Sequence, residues 1–219
     1  MGEEIRGLEQ EYGRESGSVQ ILAVSKRHST DKIRAVAAAG LHHFGENYLQ
    51  EALEKISALQ DLSLTWHFIG PIQSNKTRGI AEHFAWVQSV DREKIVVRLN
   101  DQRPSHLPPL NVCVQINLSQ EQSKSGVSSL EEGAELCQRV AELPRLTLRG
   151  VMAIPAPMED FEEQRSSFRQ LAQLYDKLAA QFDTVDTLSM GMSDDYSAAI
   201  AEGATMIRLG TVIFGPRPE

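Results

Sequence analysis

The stretch Val19-Gln-Ile-Leu-Ala-Val-Ser-Lys26 decides the fold, because it predicts a short buried strand that ends on a lysine. Its apolar run, Ile21 to Val24, is rich in branched side chains and bounded by polar residues, which is typical of parallel strands covered on both faces. Ligands of α/β folds bind at the carboxyl ends of such strands, where Lys26 lies. Partial burial, or the charge of Arg27, would disfavour the ammonium form of Lys26 and leave its amine able to attack a carbonyl. Taken alone, the stretch favours an ordinary surface lysine; the later segments change that interpretation.

The composition excludes several classes of partner. The chain has 219 residues, enough for one larger domain or two small ones, and an ordinary apolar fraction of 41%. Its net charge of −8 and the lack of a long basic run argue against nucleic acid and membrane as partners. Cys113 and Cys137 each fall in an apolar pattern, which predicts buried thiols in a reducing compartment. Since neither a spanning apolar run nor a signal-peptide pattern is present, we expect a cytoplasmic protein.

Short apolar strands alternate with amphipathic helices along the whole chain, without a repeat or a linker. Strands are predicted at residues 21–24, 43–47 with the following loop, 64–69, 85–88, 110–116, 146–152, 184–188 and 206–209. Helix starts are predicted at Thr30, Ser74, Asp91, Ser129, Asp160 and Ser193. Eight strands over this length predict a single closed (β/α)8 TIM barrel that occupies residues 1–219, with an open doubly wound sheet as the alternative. No Gly-x-Gly-x-x-Gly follows the first strand, which argues against a dinucleotide site.

In a closed barrel all carboxyl strand ends meet on one face, so residues distant in sequence come together there. The residues predicted to cluster on this face are Lys26, Asn47, His67, Gln115, Met152, Met190 and Arg208.

Two glycine-containing segments at late strand ends predict a phosphate site opposite Lys26. The amides of Gly210 and Thr211, with the Thr211 hydroxyl, are suited to hold a phosphate. Ser193 in Ser189-Met-Gly-Met-Ser193 is expected to cap a helix and to assist. Asp194 and Asp195 follow it and would repel an anion, so the prediction rests mainly on Gly210 and Thr211. Each segment alone is an ordinary turn; together, facing a lysine, they favour a ligand site.

Other polar residues carry weaker signals. Asn47 is suited either to bind a ligand oxygen or to cap a helix. Lys124, in the loop Ser123-Lys-Ser-Gly126, is a second candidate amine or a solvated charge. His67 is more typical of a packed strand histidine than of a catalyst. The remaining histidines lack metal-ligand spacing, so no metal is proposed. Asp194 and Asp195 are adjacent on a predicted helix and point in different directions, which argues against a glycosidase.

Taken together, these segments resemble the pyridoxal phosphate (PLP) homeostasis protein family, the YggS-like PLP-binding proteins. The resemblance spans nearly the whole chain, in order. It is carried by Ala23-Val-Ser-Lys26, Phe44-Gly-Glu-Asn-Tyr48, Trp66-His-Phe-Ile-Gly-Pro-Ile-Gln-Ser-Asn-Lys76, Gln115-Ile-Asn, Ser123-Lys-Ser-Gly126, Gly150-Val-Met, Ser189-Met-Gly-Met-Ser-Asp-Asp195 and Ile207-Arg-Leu-Gly-Thr211 through Phe214-Gly215. The Trp-His-Phe-Ile-Gly and Met-Gly-Met-Ser-Asp-Asp stretches are the most specific to the family.

The resemblance implies a single barrel like the N-terminal domain of alanine racemases, with PLP bound covalently. Lys26 would be the aldimine lysine, and Arg208 would face the pyridine nitrogen. Ser193, Gly210 and Thr211 would lie at the phosphate. The predicted cofactor site also includes Asn47 and Met190. The chain departs from the family in Arg27-His28-Ser29 and in its short end, Pro216-Arg-Pro-Glu219; both departures concern the pocket entrance and not the lysine.

An arginine beside the pyridine nitrogen favours a carrier over an enzyme. Arginine stays charged and cannot leave a proton on that nitrogen, so the ring is a weak electron sink. Racemases with this arginine use a tyrosine from another domain and subunit as second base, and no tyrosine here is placed to replace it. We therefore expect a monomeric protein that stores PLP and delivers it to PLP-dependent apoenzymes without turnover. An amino-acid racemase with Lys26 as base, and a Schiff-base aldolase acting on a sugar phosphate, are the alternatives.

Overall fold

Eight parallel strands form the wall of a closed barrel in the computed structural model, which describes residues 1–118 and 125–216. The strands are β1 Gln20–Val24, β2 His43–Glu46, β3 Thr65–Phe68, β4 Trp86–Val90, β5 Leu110–Ile116, β6 Leu146–Ala153, β7 Thr187–Ser189 and β8 Met206–Leu209. Each strand pairs with its neighbours in sequence order. The prediction of a (β/α)8 barrel is thus confirmed, and the alternative of an open sheet is excluded.

The first and last strands close the ring. β1 pairs with β2 through Ala23 and Phe44, and with β8 through Ala23 and Leu209. The strand that leads to Lys26 therefore lies beside the strand that carries Arg208. Two segments separated by most of the chain are brought together by this one pairing.

Helices cover the outside of the barrel. They are α1 Gly2–Glu11, α2 Thr30–Ala38, α3 Leu49–Ala58, α4 Thr77–His83, α5 Glu93–Gln102, α6 Leu130–Ala141, α7 Phe161–Ala179, α8 Tyr196–Ala201 and α9 Thr211–Phe214. The longest, α7, buries Phe168, Leu171, Leu174 and Leu178. This spacing of three and four residues places them on one face, and that face packs on the barrel. None of the helices in the described ranges combines the length and apolar character that a membrane crossing requires.

Some helix starts agree with the sequence prediction and others shift by a few residues. Ser129 and Asp160 cap α6 and α7 as predicted, each side chain accepting from the backbone N–H three residues on. The cap of α2 is Ser29, which accepts from the N–H of Lys32, so Thr30 is the first helical residue. The starts predicted at Ser74 and Asp91 are also early, since α4 begins at Thr77 and α5 at Glu93.

The start predicted at Ser193 is wrong by three residues for a visible reason. The Asp195 carboxylate accepts from the N–H of Met192 at 2.5 Å, and Tyr196 N–H donates to Met192 O. These bonds close a turn ahead of α8, and Asp195 becomes the residue before the helix. Ser193 therefore lies in the turn and not at the helix cap. The seventh strand likewise begins late, at Thr187, because Val185 N–H is used in a turn to Phe182 O.

Gly150 allows β6 and β7 to pair. Its φ is +146°, and a Cβ at this position would lie 1.8 Å from the carbonyl oxygen of Thr187. Thr187 is its partner in the neighbouring strand. Only glycine permits this approach, because the obstacle is backbone and cannot rotate away.

We expect Gly150→Ala to be far more destabilising than Gly203→Ala. Gly203 has φ +94° but open space around its absent Cβ, so alanine there costs only backbone strain, about 1–2 kcal/mol. Gly150→Ala adds a clash, worth about 1–3 kcal/mol more. Urea unfolding of both variants measures the difference. Equal loss of stability in the two would contradict this account of the β6–β7 approach.

Candidate functional site

A cavity of about 400 Å³ opens at the carboxyl ends of β1 and β8. Six of the seven residues predicted for the cofactor site line it, and they are Lys26, Asn47, Ser193, Arg208, Gly210 and Thr211. The structure therefore brings together an amine, a guanidinium, two hydroxyls and a glycine turn. The volume of the cavity is within the range of small-molecule sites.

The seventh residue, Met190, lies elsewhere. It is fully buried and belongs to the hydrophobic core of the barrel, and its N–H donates to the carbonyl of Met206. Met192, two residues further on, lines the cavity in its place. The sequence predicted that this segment lies at the cavity, but not which of its side chains lines the cavity.

Three other residues expected at the strand ends lie inside the barrel wall, away from the cavity lining. His67 is fully buried and bonded to His43 and Gln88. Gln115 donates to the carbonyl of Ser125 at 3.1 Å. Met152 packs in a small interior cluster with Trp86 and Cys113. The interpretation of His67 as a packed histidine agrees with this environment.

The Arg208 guanidinium is hydrogen-bonded to residues of the barrel wall, and Arg208 also lines the cavity. Its Nη1 donates to Ser189 Oγ and its Nη2 to the carbonyl of Ala153, both at 2.8 Å. Burial lowers the pKa of the guanidinium to about 10, and the nearby Asp195 carboxylate opposes that shift. The group therefore keeps its positive charge at neutral pH.

The backbone before Lys26 is anchored by a buried ionic cluster, the Lys55 cluster, made of Ser25, Glu46, Glu51 and Lys55. Lys55 Nζ donates to Glu46 Oε1 at 2.7 Å, to Glu51 Oε1 at 2.6 Å and to the carbonyl of Ser25 at 2.8 Å. The Ser25 hydroxyl also donates to Glu46. Burial raises the pKa of the Glu46 carboxyl, and Lys55 counteracts this. The cluster fixes the chain one residue ahead of the candidate amine.

The loop after Lys26 is also tied down. Arg27 is the one non-glycine residue with positive φ (+63°) among residues 1–118 and 125–216, and its N–H donates to Glu51 at 2.5 Å. The next ring, His28, stacks on Phe214 at 4.8 Å. Lys32 Nζ donates to the carbonyl of Phe214 at 2.9 Å. The lysine loop is thus attached to α9, the helix that follows Gly210.

Asn47 lines the cavity and does not cap α3. The residue before α3 is Tyr48, and it makes no side-chain cap. The carbonyl of Asn47 is packed against Gly70, where a Cβ would come within 2.2 Å of it. Its side-chain oxygen is buried and finds no hydrogen-bond partner within the described part of the chain.

Four apolar residues of the cavity lining were not among the residues that the sequence predicted for the site. Ile69, Ile154, Met192 and Val212 line the cavity, and the last three are partly exposed at its mouth. No local pattern distinguished them, because each follows a different strand. Asp194 lines the cavity too, beside Ser193, where the sequence predicted that it would repel an anion.

The loop lysine, any metal ligands and the cysteines complete the set of candidate reactive residues. Ser123 and Lys124 lie outside the described residues. Within the described ranges, no group of three or more histidine, cysteine or acidic residues could hold a metal ion. Cys113 and Cys137 are buried free thiols, and burial raises the pKa of Cys137 to about 12.

Comparison with known proteins first identifies the class of barrel to which this chain belongs. The alanine racemase N-terminal domain family matches residues 5–218. The alanine racemase of E. faecalis superposes with a TM-score of 0.69 over 99% of this chain and 59% of its own, at 18% identity. At that identity the likeness concerns the fold alone. The barrel is therefore of the alanine racemase N-terminal type.

Closer relatives then give the family. The pyridoxal phosphate homeostasis protein of Pseudomonas aeruginosa is 56% identical over 213 residues, 97% of this chain and 91% of its own. That of Escherichia coli K12 is 53% identical over 208 residues, 94% and 88% of the two chains. PipY of Synechococcus elongatus with PLP bound has a TM-score of 0.82 at 36% identity, over 96% of this chain and all of its own. The chain belongs to the family of pyridoxal phosphate homeostasis proteins.

We expect Lys55→Met to lower the free energy of unfolding by about 3–5 kcal/mol, because it leaves the buried Glu46 carboxylate without its counter-charge. Adding Glu46→Gln should recover part of the loss. Arg34→Met, which removes an exposed ion pair with Asp61, is the control and should change stability little. Denaturant unfolding measures all three. A Lys55 variant as stable as the control would refute the anchoring role of the cluster.

Proposed function

We propose that this protein binds PLP in the cavity between β1 and β8, as a Schiff base with Lys26, and serves PLP homeostasis. The observation that carries the proposal is the arrangement of three groups around one cavity: the Lys26 amine, the Arg208 guanidinium and the Gly210–Thr211 turn. The names of the relatives and the PLP-bound PipY structure support the choice of ligand.

The three groups match three polar parts of PLP, namely its aldehyde, its ring nitrogen and its phosphate. Lys26 is a primary amine for the aldehyde. Arg208, fixed by Ser189 and Ala153, faces the cavity with its charge and matches the ring nitrogen. The backbone of Gly210 and Thr211 is suited to the phosphate, with the hydroxyls of Thr211 and Ser193 assisting. A Cβ at Gly210 would make only ordinary contacts with Val24, at 3.5 Å and 3.6 Å, so packing within the protein does not require glycine there.

The same residues favour a carrier. When bound in enzymes, PLP supplies an electron sink, and that sink is strongest when the ring nitrogen is protonated. Arg208 remains charged at neutral pH and has only donors, so it cannot hold a proton on that nitrogen. The chain thus holds the ring in its less activating state. We infer a role in storing PLP and delivering it to PLP-dependent apoenzymes, without turnover.

We further propose that residues 1–219 act as one binding domain. The protein is proposed to be a monomer in the cytoplasm, as expected from the sequence. Cys113 and Cys137, both free and buried, suit a reducing compartment. Sedimentation of the PLP-loaded protein tests the monomer.

Lys26→Ala should abolish the visible absorption band of the purified protein and the mass added by PLP after borohydride reduction, because it removes the amine that is proposed to bind the aldehyde. Lys94→Ala, which removes an exposed lysine on α5, should keep both. Absorption spectra and intact mass measure the two effects. A Lys26→Ala protein that retains the band would overturn the assignment of this lysine.

One observation favours a second candidate, an amino-acid racemase. Asp194 lines the cavity together with Lys26, and a carboxylate could act as a second base. We expect no net inversion of alanine or serine, and at most slow deuterium exchange at Cα in heavy water. Rapid exchange with inversion that Asp194→Asn abolishes would establish the enzyme in place of the carrier. Nuclear magnetic resonance and chiral chromatography measure the two.

A further inference from the structure

We propose that Gln88 and Ser189 are positioning residues for Arg208, at the head of a chain of hydrogen bonds through the barrel interior. The inference rests on the proposed function, since it concerns how Arg208 is presented to PLP. The chain runs from Arg208 through Ser189, Gln88 and His67 to His43. It links β8, β7, β4, β3 and β2 across the inside of the ring.

The bonds are continuous and short. Arg208 Nη1 donates to Ser189 Oγ at 2.8 Å, and Ser189 Oγ donates to Gln88 Oε1 at 2.6 Å. Gln88 Nε2 lies 2.9 Å from His67 Nδ1, and His67 Nε2 lies 2.9 Å from His43 Nδ1. Arg208, Ser189, Gln88 and His67 are all buried, and His43 at the far end is half-buried.

The directions of the bonds follow from Arg208 and from the orientation of the Gln88 side-chain amide. A guanidinium can only donate, so Ser189 Oγ accepts from Arg208, and the Ser189 hydroxyl donates to Gln88 Oε1. The Gln88 amide nitrogen then donates to His67 Nδ1, and also reaches the Met206 sulfur at 3.1 Å. His67 must therefore carry its proton on Nε2 and donate to His43. Burial lowers the pKa of His67 well below its usual value, which keeps the ring neutral and Nδ1 able to accept.

The chain of hydrogen bonds controls the orientation of the Arg208 guanidinium. Of its five N–H groups, one is held by Ser189 and one by the carbonyl of Ala153. This two-point attachment leaves the remaining edge of the group toward the cavity that Arg208 lines. Without Gln88, the Ser189 proton has no fixed acceptor, and the hydroxyl can rotate so that its oxygen no longer faces Arg208.

Packing alone does not explain this chain. The neighbouring interior cluster of Trp86, Cys113 and Met152 fills barrel space with mostly apolar side chains. Burying polar side chains in the barrel interior costs free energy unless each is hydrogen-bonded. Apolar residues of similar volume would avoid that cost. The polar residues here form one connected set that ends on the cavity arginine. Their arrangement is accounted for by the need to hold that arginine.

Gln88→Met tests the inference, because methionine keeps nearly the same volume and removes the hydrogen bonds of Gln88 to Ser189 and His67, together with its contact to the Met206 sulfur. We expect PLP to bind about tenfold more weakly, the effect of about one lost hydrogen bond, and the visible absorption maximum to shift. Ser189→Ala should act in the same sense and provides a second, smaller change should Gln88→Met fold poorly. Met152→Leu changes a residue in the same barrel interior that takes no part in the chain of hydrogen bonds. This variant is the matched control and should bind PLP normally.

A double-variant comparison separates positioning from general damage. In an Arg208→Met background, adding Gln88→Met should change PLP affinity less than twofold, because the group that Gln88 positions is gone. PLP titration by equilibrium dialysis, with circular dichroism to confirm folding, measures this. The same loss of affinity with and without Arg208, or wild-type affinity and spectrum in both Gln88→Met and Ser189→Ala, would overturn the inference. Those outcomes leave the proposed function standing, whereas a wild-type protein that binds no PLP would overturn both.

Discussion

The pairing of β1 with β8 is the constraint on which the rest of the structure depends. Ala23 and Leu209 are neighbours across this seam, and the segments that follow them carry Lys26 and Arg208. Four residues of the candidate site, Lys26, Arg208, Gly210 and Thr211, lie at or within a few residues of the carboxyl ends of these two strands. Hydrophobic burial drives the ring to close, and closure fixes the distance between an amine and a guanidinium that nothing local could fix.

Polar groups buried around the seam then refine what closure sets. The Lys55 cluster holds the backbone before Lys26, and Ser189 with Ala153 holds Arg208. Buried charges and amides are costly, and apolar residues would usually give a core of equal or greater stability. Their presence beside the cavity, and the apolar character of most of the remaining interior, indicate that geometry at the site was kept at some cost in stability.

The sequence was sufficient for the fold and for most of the site, because both depend on local patterns repeated in order. Short strands such as Leu110–Ile116 and Met206–Leu209 were predicted to the residue, and six site residues follow from their places at strand ends. What failed depends on contacts between distant segments. Met190 was assigned to the cavity because a strand end does not reveal which neighbouring side chain turns inward. The start of α8 was misplaced because the Asp195 carboxylate bonds back to Met192. The partners of Lys55 and Gln88 lie on other strands and leave no trace in spacing.

Closure by the pairing of β1 with β8 has a consequence for synthesis. Lys26 leaves a ribosome long before Arg208 and the Gly210 turn, because seven of the eight strands are made first. A growing chain therefore carries its amine without the arginine or the turn that would surround it. Contacts between segments so distant in sequence form late in folding. A chain that stops before β8 thus has the amine of the pocket and lacks the groups that face it.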